Sequence, residues 1–314
     1  MINFRFHLVS LVAVFLALAL GVMMGATVID RAIVNGLEAR ISTVGDRAEK
    51  TRDENLALKA RLDALEAYTE QSVPLIVGER LKGVAVAVVA VRGLDDGAVR
   101  RSAETLSAGG AQVQGILWLE PGLAIPDLEA ELKLGEVLGD PIQKGDALQR
   151  AAIEVLSRRL VMGPQPAADA GDVLVELGAA GFVSFDPLGG DADPSRFPVA
   201  GSRLLVLDGP QGKLKTDTVA VPIVRALAVG GAMVALGEVF ADVESGPSRG
   251  TVVAGVREDS GLATRVATID DIELPRGRAA LALALDELGR GRAGHYGEGP
   301  GASRQLPEPA LPGA

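Results

Sequence analysis

Cysteine is absent from the 314-residue chain, histidine occurs twice, and aromatic residues make up 3% of the sequence. Without cysteine the protein has no disulfide, no thiolate nucleophile and no thiolate metal ligand. The two histidines, His7 and His295, stand near opposite ends of the chain. The residues of the usual nucleophilic sites are therefore missing or far apart in sequence, and we predict that the protein is not an enzyme.

Positive charge is also scarce, because 31 lysines and arginines face 41 aspartates and glutamates, for a formal net charge of −10. Nucleic-acid-binding proteins usually carry a basic stripe, and since none is visible we predict no nucleic-acid partner. Asp186, Asp191 and Asp193 fall in one loop rich in Gly, Asp and Pro, and carboxylates can bind a hard cation. A solvated acidic loop is the simpler interpretation, so no metal site is predicted.

The most informative feature present is an apolar run of 22 residues, from Leu8 to Ile29, with no charged side chain. At about 1.5 Å per residue, such a helix crosses a bilayer hydrocarbon core of roughly 30 Å. Secretory signals have shorter apolar stretches and a small-residue cleavage site. We predict an uncleaved membrane anchor over residues 1–30, with a cleaved signal or a buried core helix as alternatives. The charges at its two ends leave its orientation open.

Small residues recur at every fourth position inside this run, at Ala13, Ala17, Gly21 and Gly25. They share one helical face, and Gly21 with Gly25 forms the G-x-x-x-G pattern that lets two helices approach closely in lipid. We predict that this face associates two anchors. The abundance of alanine and glycine in the chain is the other explanation.

A heptad pattern follows the apolar run directly. Its a and d positions include Val34, Leu37, Ile41, Val44, Leu58, Leu62 and Leu65, and Asn55 also falls at an a position. A single asparagine at an a position favours a parallel two-stranded register. We predict a coiled coil over residues 31–73 that forms a homodimer or a higher homo-oligomer, while one helix packed on its own domain is the alternative. Pro74 is expected to end this helix near Val73.

Residues 82–297 are predicted to form an α/β domain. Gly83 to Val91 is a continuous valine-rich run, typical of a strand buried on both faces of a parallel sheet. Alternating strands and helices follow, which predicts a doubly wound, Rossmann-like sheet. Further strands are expected at 113–119, 204–207 and 232–236, and helices at 95–108, 127–138, 146–162, 172–180, 218–229 and 278–288. Residues 298–314 hold four prolines and are predicted to be disordered.

Two glycine-bearing segments invite comparison with phosphate-binding loops. Residues 209–213 read GPQGK, but a P-loop needs four residues between its glycines and Ser or Thr after the lysine. A simple turn is therefore expected there. Residues 93–97 follow the first strand and hold two aspartates, which would repel phosphate and are better explained as a helix N-cap. No cofactor is predicted.

Several segments carry a family resemblance: FHLVSLVAVFLALALGVMMG at 6–25, TVVAGVR at 251–257, VATIDD at 266–271 and GHYG at 294–297. In this order they resemble the actinobacterial MctB-type copper transport protein family, in which a coiled coil also follows the apolar run. The resemblance implies a cell-envelope protein, described in the family as an outer-membrane channel that limits copper accumulation. It also implies a globular domain outside the cytoplasm.

The residues themselves offer copper few ligands, since Cu(I) prefers thiolate or thioether sulfur and Cu(II) prefers imidazole. Met23 and Met24 are adjacent in the apolar run and would point about 100° apart on a helix, so packing explains them better. One helix per chain makes no lumen, and the low aromatic content does not suit a membrane β-barrel. We therefore expect copper as a transported ion at most. The alternative function is a non-transporting scaffold that binds an envelope partner.

Overall fold

Helix α1 extends over Phe4–Val77 and carries both the apolar run and the heptads in one element. The structure, a computed structural model, describes residues 4–164, 171–188, 193–241 and 248–308, and within α1 it leaves the side chains of residues 26–34 and 39 undescribed. The chain divides into two units, residues 1–65 and residues 66–314. The first unit thus ends where the predicted heptad seam ends, at Leu65.

The end of α1 differs from the prediction, because the helix continues through Pro74 to Val77 instead of ending near Val73. Proline removes one hydrogen-bond donor from a helix. Val73 and Val77 are 3% and 0% exposed, and their burial in the core of the second unit offsets that loss. Beyond the helix, the amide of Gly78 donates to the Pro74 carbonyl at 2.9 Å. The last turns of α1 therefore belong to the globular unit.

A seven-stranded sheet lies at the centre of the second unit. Its strands are β1 Ala85–Val91, β2 Gln112–Leu119, β3 Val183–Asp186, β4 Arg203–Asp208, β5 Val234–Glu238, β6 Val266–Ile269 and β7 His295–Tyr296. Their order across the sheet is β3-β2-β1-β4-β5-β6-β7. All neighbours pair in parallel except β3, which runs antiparallel to β2 with Phe185 opposite Leu117. The sheet is therefore mostly, not wholly, parallel.

Helices cover both faces of the sheet, as buried parallel strands require. They are α2 Asp96–Ala108, α3 Leu128–Val137, α4 Gly145–Met162, α5 Val173–Ala179, α6 Ala220–Val229, α7 Thr251–Arg257, α8 Ser260–Ala263 and α9 Pro275–Leu288. One hydrophobic core lies between the sheet and the side of α4 and α6. The other lies on the opposite face, under α2, α9 and the end of α1. The predicted mixed α/β class is confirmed.

Apart from the end of α1, the predicted elements are present with end shifts of at most three residues. No pattern in the sequence predicts β3, α7, α8, β6 or β7, which have seven residues or fewer. In so short an element a period is hard to recognise unless an apolar run marks it, as in β4 and β5. Their positions are set by pairing and packing with the longer elements.

Residues 298–308 lie against the domain, although the sequence predicts disorder for them. The amides of Glu298 and Gly299 donate to the Asp270 carboxylate at 2.8 and 3.0 Å, and Arg304 forms an isolated bridge with Tyr296. A low-complexity composition favours disorder when no contacts order the backbone. Here hydrogen bonds to the buried Asp270 carboxylate order it. Residues 309–314, and 189–192 of the predicted acidic loop, lie outside the described residues.

Replacing Val77 with alanine is expected to lower the free energy of unfolding of the globular unit by about 1–3 kcal/mol, because a cavity would open in the core. A Cβ built on Gly109 would lie only 2.6 Å from Val77 Cγ1, so the valine fills this space tightly. Urea unfolding of the full chain in detergent, followed by the fluorescence of Trp118, measures the change.

Leu75, two residues before Val77, supplies the matched control for that prediction. Leu75 is 85% exposed, so Leu75→Ala is expected to change the free energy of unfolding by less than about 0.5 kcal/mol. Equal effects of the two substitutions would contradict the assignment of the helix end to the core.

Candidate functional site

The residues predicted to associate chains all lie on α1, in the first unit. The apolar side chains among them are 54–64% exposed: Leu37, Ile41, Leu58, Leu62 and Leu65. Asn55 is exposed as well. A Cβ built on Gly21 or Gly25 would meet nothing within 4 Å, so both glycines offer open backbone to a neighbour. Association through these residues stays a prediction.

The three segments near the carboxyl end of the chain that carry the family resemblance come together in space. Residues 251–257 are α7, residues 266–271 contain β6, and residues 294–297 contain β7. Arg257 joins them, since its guanidinium pairs with Asp270 at 2.8 Å and donates to Thr268 Oγ1 and to the Tyr296 carbonyl, both at 2.9 Å. We call Arg257, Thr268, Asp270, His295 and Tyr296 the Arg257 cluster.

The Arg257 cluster also holds the imidazole of His295. Thr268 Oγ1 accepts from Arg257 Nε at 2.9 Å and lies 2.9 Å from His295 Nδ1. The ring makes a further hydrogen bond to the backbone of Ala263. Burial lowers the pKa of His295, and the charge of Arg257 lowers it further. The imidazole is therefore engaged by hydrogen bonds within the domain.

Three buried acids stand at the carboxyl ends of adjacent parallel strands. Asp208 ends β4, Glu238 ends β5, and Asp270 directly follows β6, each 0% exposed. Glu238 accepts from the amides of Gly250, Val252 and Val253, the first turn of α7, at 2.9 to 3.4 Å. Each acid therefore accepts hydrogen bonds that hold a loop or the start of a helix at this edge. Amides at the start of a helix stabilise such negatively charged groups.

Burial raises the pKa of two of these acids. The pKa of Glu238 rises to about 7, although its three backbone hydrogen bonds act in the opposite direction. The pKa of Asp208 rises to about 6, against hydrogen bonds from Thr216 Oγ1 at 2.6 Å and from the Gly209 amide. Both groups thus take up protons in the folded chain at a pH at which an exposed carboxyl is ionised.

The free energy of unfolding of the globular unit is expected to fall as the pH rises from about 4.5 to about 7. In this window folded Glu238 and Asp208 hold protons that the unfolded chain, with ordinary pKa values of 4.5 and 3.8, has released. The folded state therefore binds more protons, and stability must decrease with pH. Urea unfolding of the full chain at several pH values measures the slope.

A single substitution isolates the contribution of Glu238 to that slope. Glu238→Gln cannot titrate, so its stability is expected to depend less steeply on pH than that of the parent chain. Glu154, exposed on α4 and paired with Arg158, gives the control substitution Glu154→Gln, which should leave the slope unchanged. A stability that increases through this window would contradict the assignment.

The carboxyl ends of β1 and β4 meet where the strand order reverses, the place where open α/β sheets usually bind ligands. Here two loops fill the crevice. The amide of Lys213 donates to the Arg92 carbonyl at 2.8 Å, and a Cβ on Gly93 would lie 2.7 Å from the Gln211 carbonyl oxygen. Glycine at position 93, with φ of +109°, permits this approach. The two loops therefore contact each other across the crevice.

The two segments compared with phosphate loops have the structures that the sequence predicts. The amide of Gly212 donates to the Gly209 carbonyl at 2.8 Å, which makes residues 209–212 a tight turn. Asp95 caps α2 by accepting from the amides of Gly97 and Ala98 at 3.0 and 3.2 Å. Neither segment presents a ring of free amides to an anion.

One G-x-S-x-G spacing, at residues 246–250, escapes the sequence analysis. Its serine, Ser248, is exposed and lies ten residues beyond the end of β5, not on a sharp strand-to-helix turn. Residues 246 and 247 lie outside the described part of the chain. Among the described residues no hydrogen bond joins Ser248 to His295, whose imidazole lies against Thr268 and the backbone of Ala263 instead. The spacing therefore lacks the structural setting of a nucleophile elbow.

Metal-ligating side chains do not gather in the described residues. No group of three or more His, Cys, Asp or Glu side chains there is arranged to hold an ion. Of the three aspartates predicted in one loop, Asp186 is instead the last residue of β3 and pairs with Arg100. Asp193 accepts from the Ser195 amide at 2.9 Å, and Asp191 lies outside the described residues. Met23 and Met24 lie in the apolar part of α1, more than 65% exposed.

The sequence does not predict the Arg257 cluster as a structural unit, although the segments that build it carry the family resemblance. One signal is present: an acid follows an apolar strand-like run at Asp208, Glu238 and Asp270. A buried acid at a strand end needs a partner, and Arg257 is the cation that reaches one of them.

The similarity of this chain to known proteins includes the same segments. Over residues 1–307 the chain matches the family described as copper transport outer membrane protein, MctB. It is 28% identical to copper transporter MctB of Mycobacterium tuberculosis and of Mycobacterium bovis over 322 residues, which cover 96% of this chain and 98% of each relative. Copper transporter MctB of Mycobacterium leprae is 26% identical over 320 residues. The similarity spans α1 and the sheet alike.

Proposed function

Because the chain belongs to the MctB family of copper transport outer membrane proteins, we propose that it acts in copper transport and copper homeostasis at the cell envelope. The observation that carries this proposal is a family match across both units of the chain. A single described helix, Phe4–Gly25, is long and apolar enough to cross a bilayer. In our proposal this segment holds the protein in a membrane, and copper is the transported ion.

In this proposal the globular unit contributes to copper transport without a permanently bound copper ion. The lack of a metal-ligating group among the described residues and the engaged state of His295 support this division of roles. The described part of each chain contributes one candidate spanning helix, and one helix encloses no lumen. Conduction of copper therefore requires an oligomer. The second candidate function is a scaffold that binds an envelope partner and affects copper indirectly.

The oligomer that we propose is built on the exposed seam of α1. Five apolar side chains at predicted a and d positions, 54–64% exposed, would cost free energy in water unless a second copy covered them. A parallel coiled coil through Leu37 to Leu65 meets this need, and Gly21 with Gly25 would continue the contact in lipid. By the family resemblance, the α/β domain lies outside the cytoplasm.

The remaining fold proposal concerns the sheet. Its first six strands follow the order 3-2-1-4-5-6, which is the order of doubly wound Rossmann-like sheets. We propose a Rossmann-like scaffold that has lost the dinucleotide role, since its crevice is filled by the loops of Gly93 and Lys213.

Removal of the gene tests the copper proposal. We expect cells without it to accumulate copper and to become copper-sensitive, and the full chain to restore both properties. A chain lacking residues 1–30 should fail to restore them, whereas Gly45→Ala, a substitution in open space on α1, should succeed. Unchanged intracellular copper and unchanged sensitivity in the deletion strain would overturn the proposal.

Copper flux separates transport from the scaffold. We expect the full chain, reconstituted in liposomes, to pass copper, and the purified chain in detergent to show no tight Cu(I) site in competition with a chelator. A copper phenotype in cells combined with no flux in liposomes would favour the scaffold.

A further inference from the structure

A pocket of about 350 Å³ opens at the amino edge of the sheet, at the opposite ends of the strands from the crevice. It lies between the residues that lead into β5, β6 and β7, namely 231–233, 264–265 and 291–293, and beside the ends of α6 and α9. Its volume is that of a small-molecule site. All its lining residues belong to the globular unit.

Two arginines supply the charge of this pocket, Arg265 and Arg292. Glu287 pairs with the Arg292 guanidinium at 3.2 Å and also accepts from the Tyr296 hydroxyl. Among the described carboxylates, none forms an ion pair with Arg265. The positive surplus of the pocket is therefore the charge of Arg265, in a chain whose formal net charge is −10.

The helix ends beside the pocket do not cancel this surplus with free carbonyls. At the end of α6, the amides of Gly230, Gly231 and Ala232 donate to carbonyls of the last turn at 2.9 to 3.2 Å. At the end of α9, the amides of residues 289–292 do the same. The carbonyls that would otherwise attract a cation are satisfied internally.

The remaining walls are apolar apart from Thr264, whose hydroxyl donates to the Gly261 carbonyl at 3.4 Å. Ala228, Met233, Leu288 and Ala293 line the pocket between the two arginines and the helix ends, and Met233 is 38% exposed. A guanidinium recognises carboxylate and phosphate oxygens through paired N–H donors, whereas methionine adapts to varied apolar shapes. The lining thus combines anion recognition with space for a short carbon chain.

From this geometry we propose that the amino-edge pocket binds a small organic anion, with a phosphate or carboxylate group on Arg265 and Arg292 and a short apolar body against Met233 and Leu288. The proposal does not depend on copper transport, because its evidence and its readout are separate from copper. It gives the globular unit a ligand site that the filled crevice at the opposite edge does not provide.

Isothermal titration of the full chain in detergent with sn-glycerol 3-phosphate and with succinate tests this proposal. We expect saturable binding of at least one probe with a dissociation constant below about 10 mM, and no binding of glycerol, which has the carbon body without the charge. No saturation by either anion up to that concentration would overturn the proposal.

Charge-reversal variants locate the binding. Arg265→Glu is expected to weaken it at least about tenfold, and Met233→Trp, which fills the apolar side, should weaken it as well. Arg158→Glu, on the exposed surface of α4, is the matched control and should bind within about twofold of the parent chain. Unfolding midpoints show whether each variant is folded. Binding that survives in both folded pocket variants would overturn the proposal.

Discussion

A chain in which Leu58 and Leu62 are both replaced by aspartate is expected to be monomeric in detergent, whereas the parent chain is expected to be a dimer or a larger homo-oligomer. Both leucines lie on the exposed face of α1, 54% and 61% accessible. Burying a leucine in a seam is worth about 1.5–3 kcal/mol, and a buried aspartate opposite its own copy is strongly unfavourable. The dissociation constant should therefore rise by more than about a hundredfold.

Light scattering coupled to size exclusion, over a range of protein concentrations, measures the oligomer mass. Leu56 provides a matched control on the same helix, because it is equally exposed, at 57%, but lies outside the predicted seam. Leu56→Asp is expected to leave the oligomer intact. If the double variant remained a dimer while Gly21→Leu with Gly25→Leu became monomeric, the stalk would not be the association site.

The second large effect is expected from Arg257→Met, which should lower the free energy of unfolding of the globular unit by about 3–5 kcal/mol. Arg257 is 3% exposed and Asp270 0% exposed, so the substitution leaves a carboxylate buried without its cation. It also removes the hydrogen bonds to Thr268 and to the carbonyls of Tyr296 and Pro300. Urea unfolding followed by circular dichroism measures the loss.

Two further variants decide whether the buried pair is the cause. Arg257→Met combined with Asp270→Leu removes both charges and is expected to recover part of the lost stability. Arg158→Met, at an exposed i,i+4 pair with Glu154, should cost less than about 0.5 kcal/mol. A loss at Arg257 no larger than that at Arg158 would show that the cluster contributes little to the fold.

Much of the fold could be predicted from the sequence because its main elements have strong local signals. The valine-rich β1 and the α2 helix, with Asp95 at its start and Gly109 at its end, are examples in which pattern and structure agree. The end of α1 could not be predicted locally, since the burial of Val77 against Gly109 depends on residues distant in sequence. The same holds for the antiparallel β3, which is defined by its pairing with β2.

The sites were less predictable than the fold for a related reason. The seam residues of α1 follow a local period, so the sequence alone predicts them. The Arg257 cluster instead joins segments whose sequence positions differ by up to 39 residues, and the amino-edge pocket depends on how three strand starts line up. Such arrangements require the sheet order, in which β5, β6 and β7 are neighbours.

The hydrogen bonds that Asp270 accepts from Glu298 and Gly299 have a practical consequence for anyone who shortens this protein. A fragment that stops at Gly297 would strip two donors from a fully enclosed carboxylate and would also lose the Pro300 carbonyl that Arg257 uses. Soluble fragments for crystallisation or screening should therefore retain the carboxyl-terminal residues through Glu308. Affinity tags should be attached beyond Glu308, where they would not disturb the hydrogen bonds of Asp270 and Arg257.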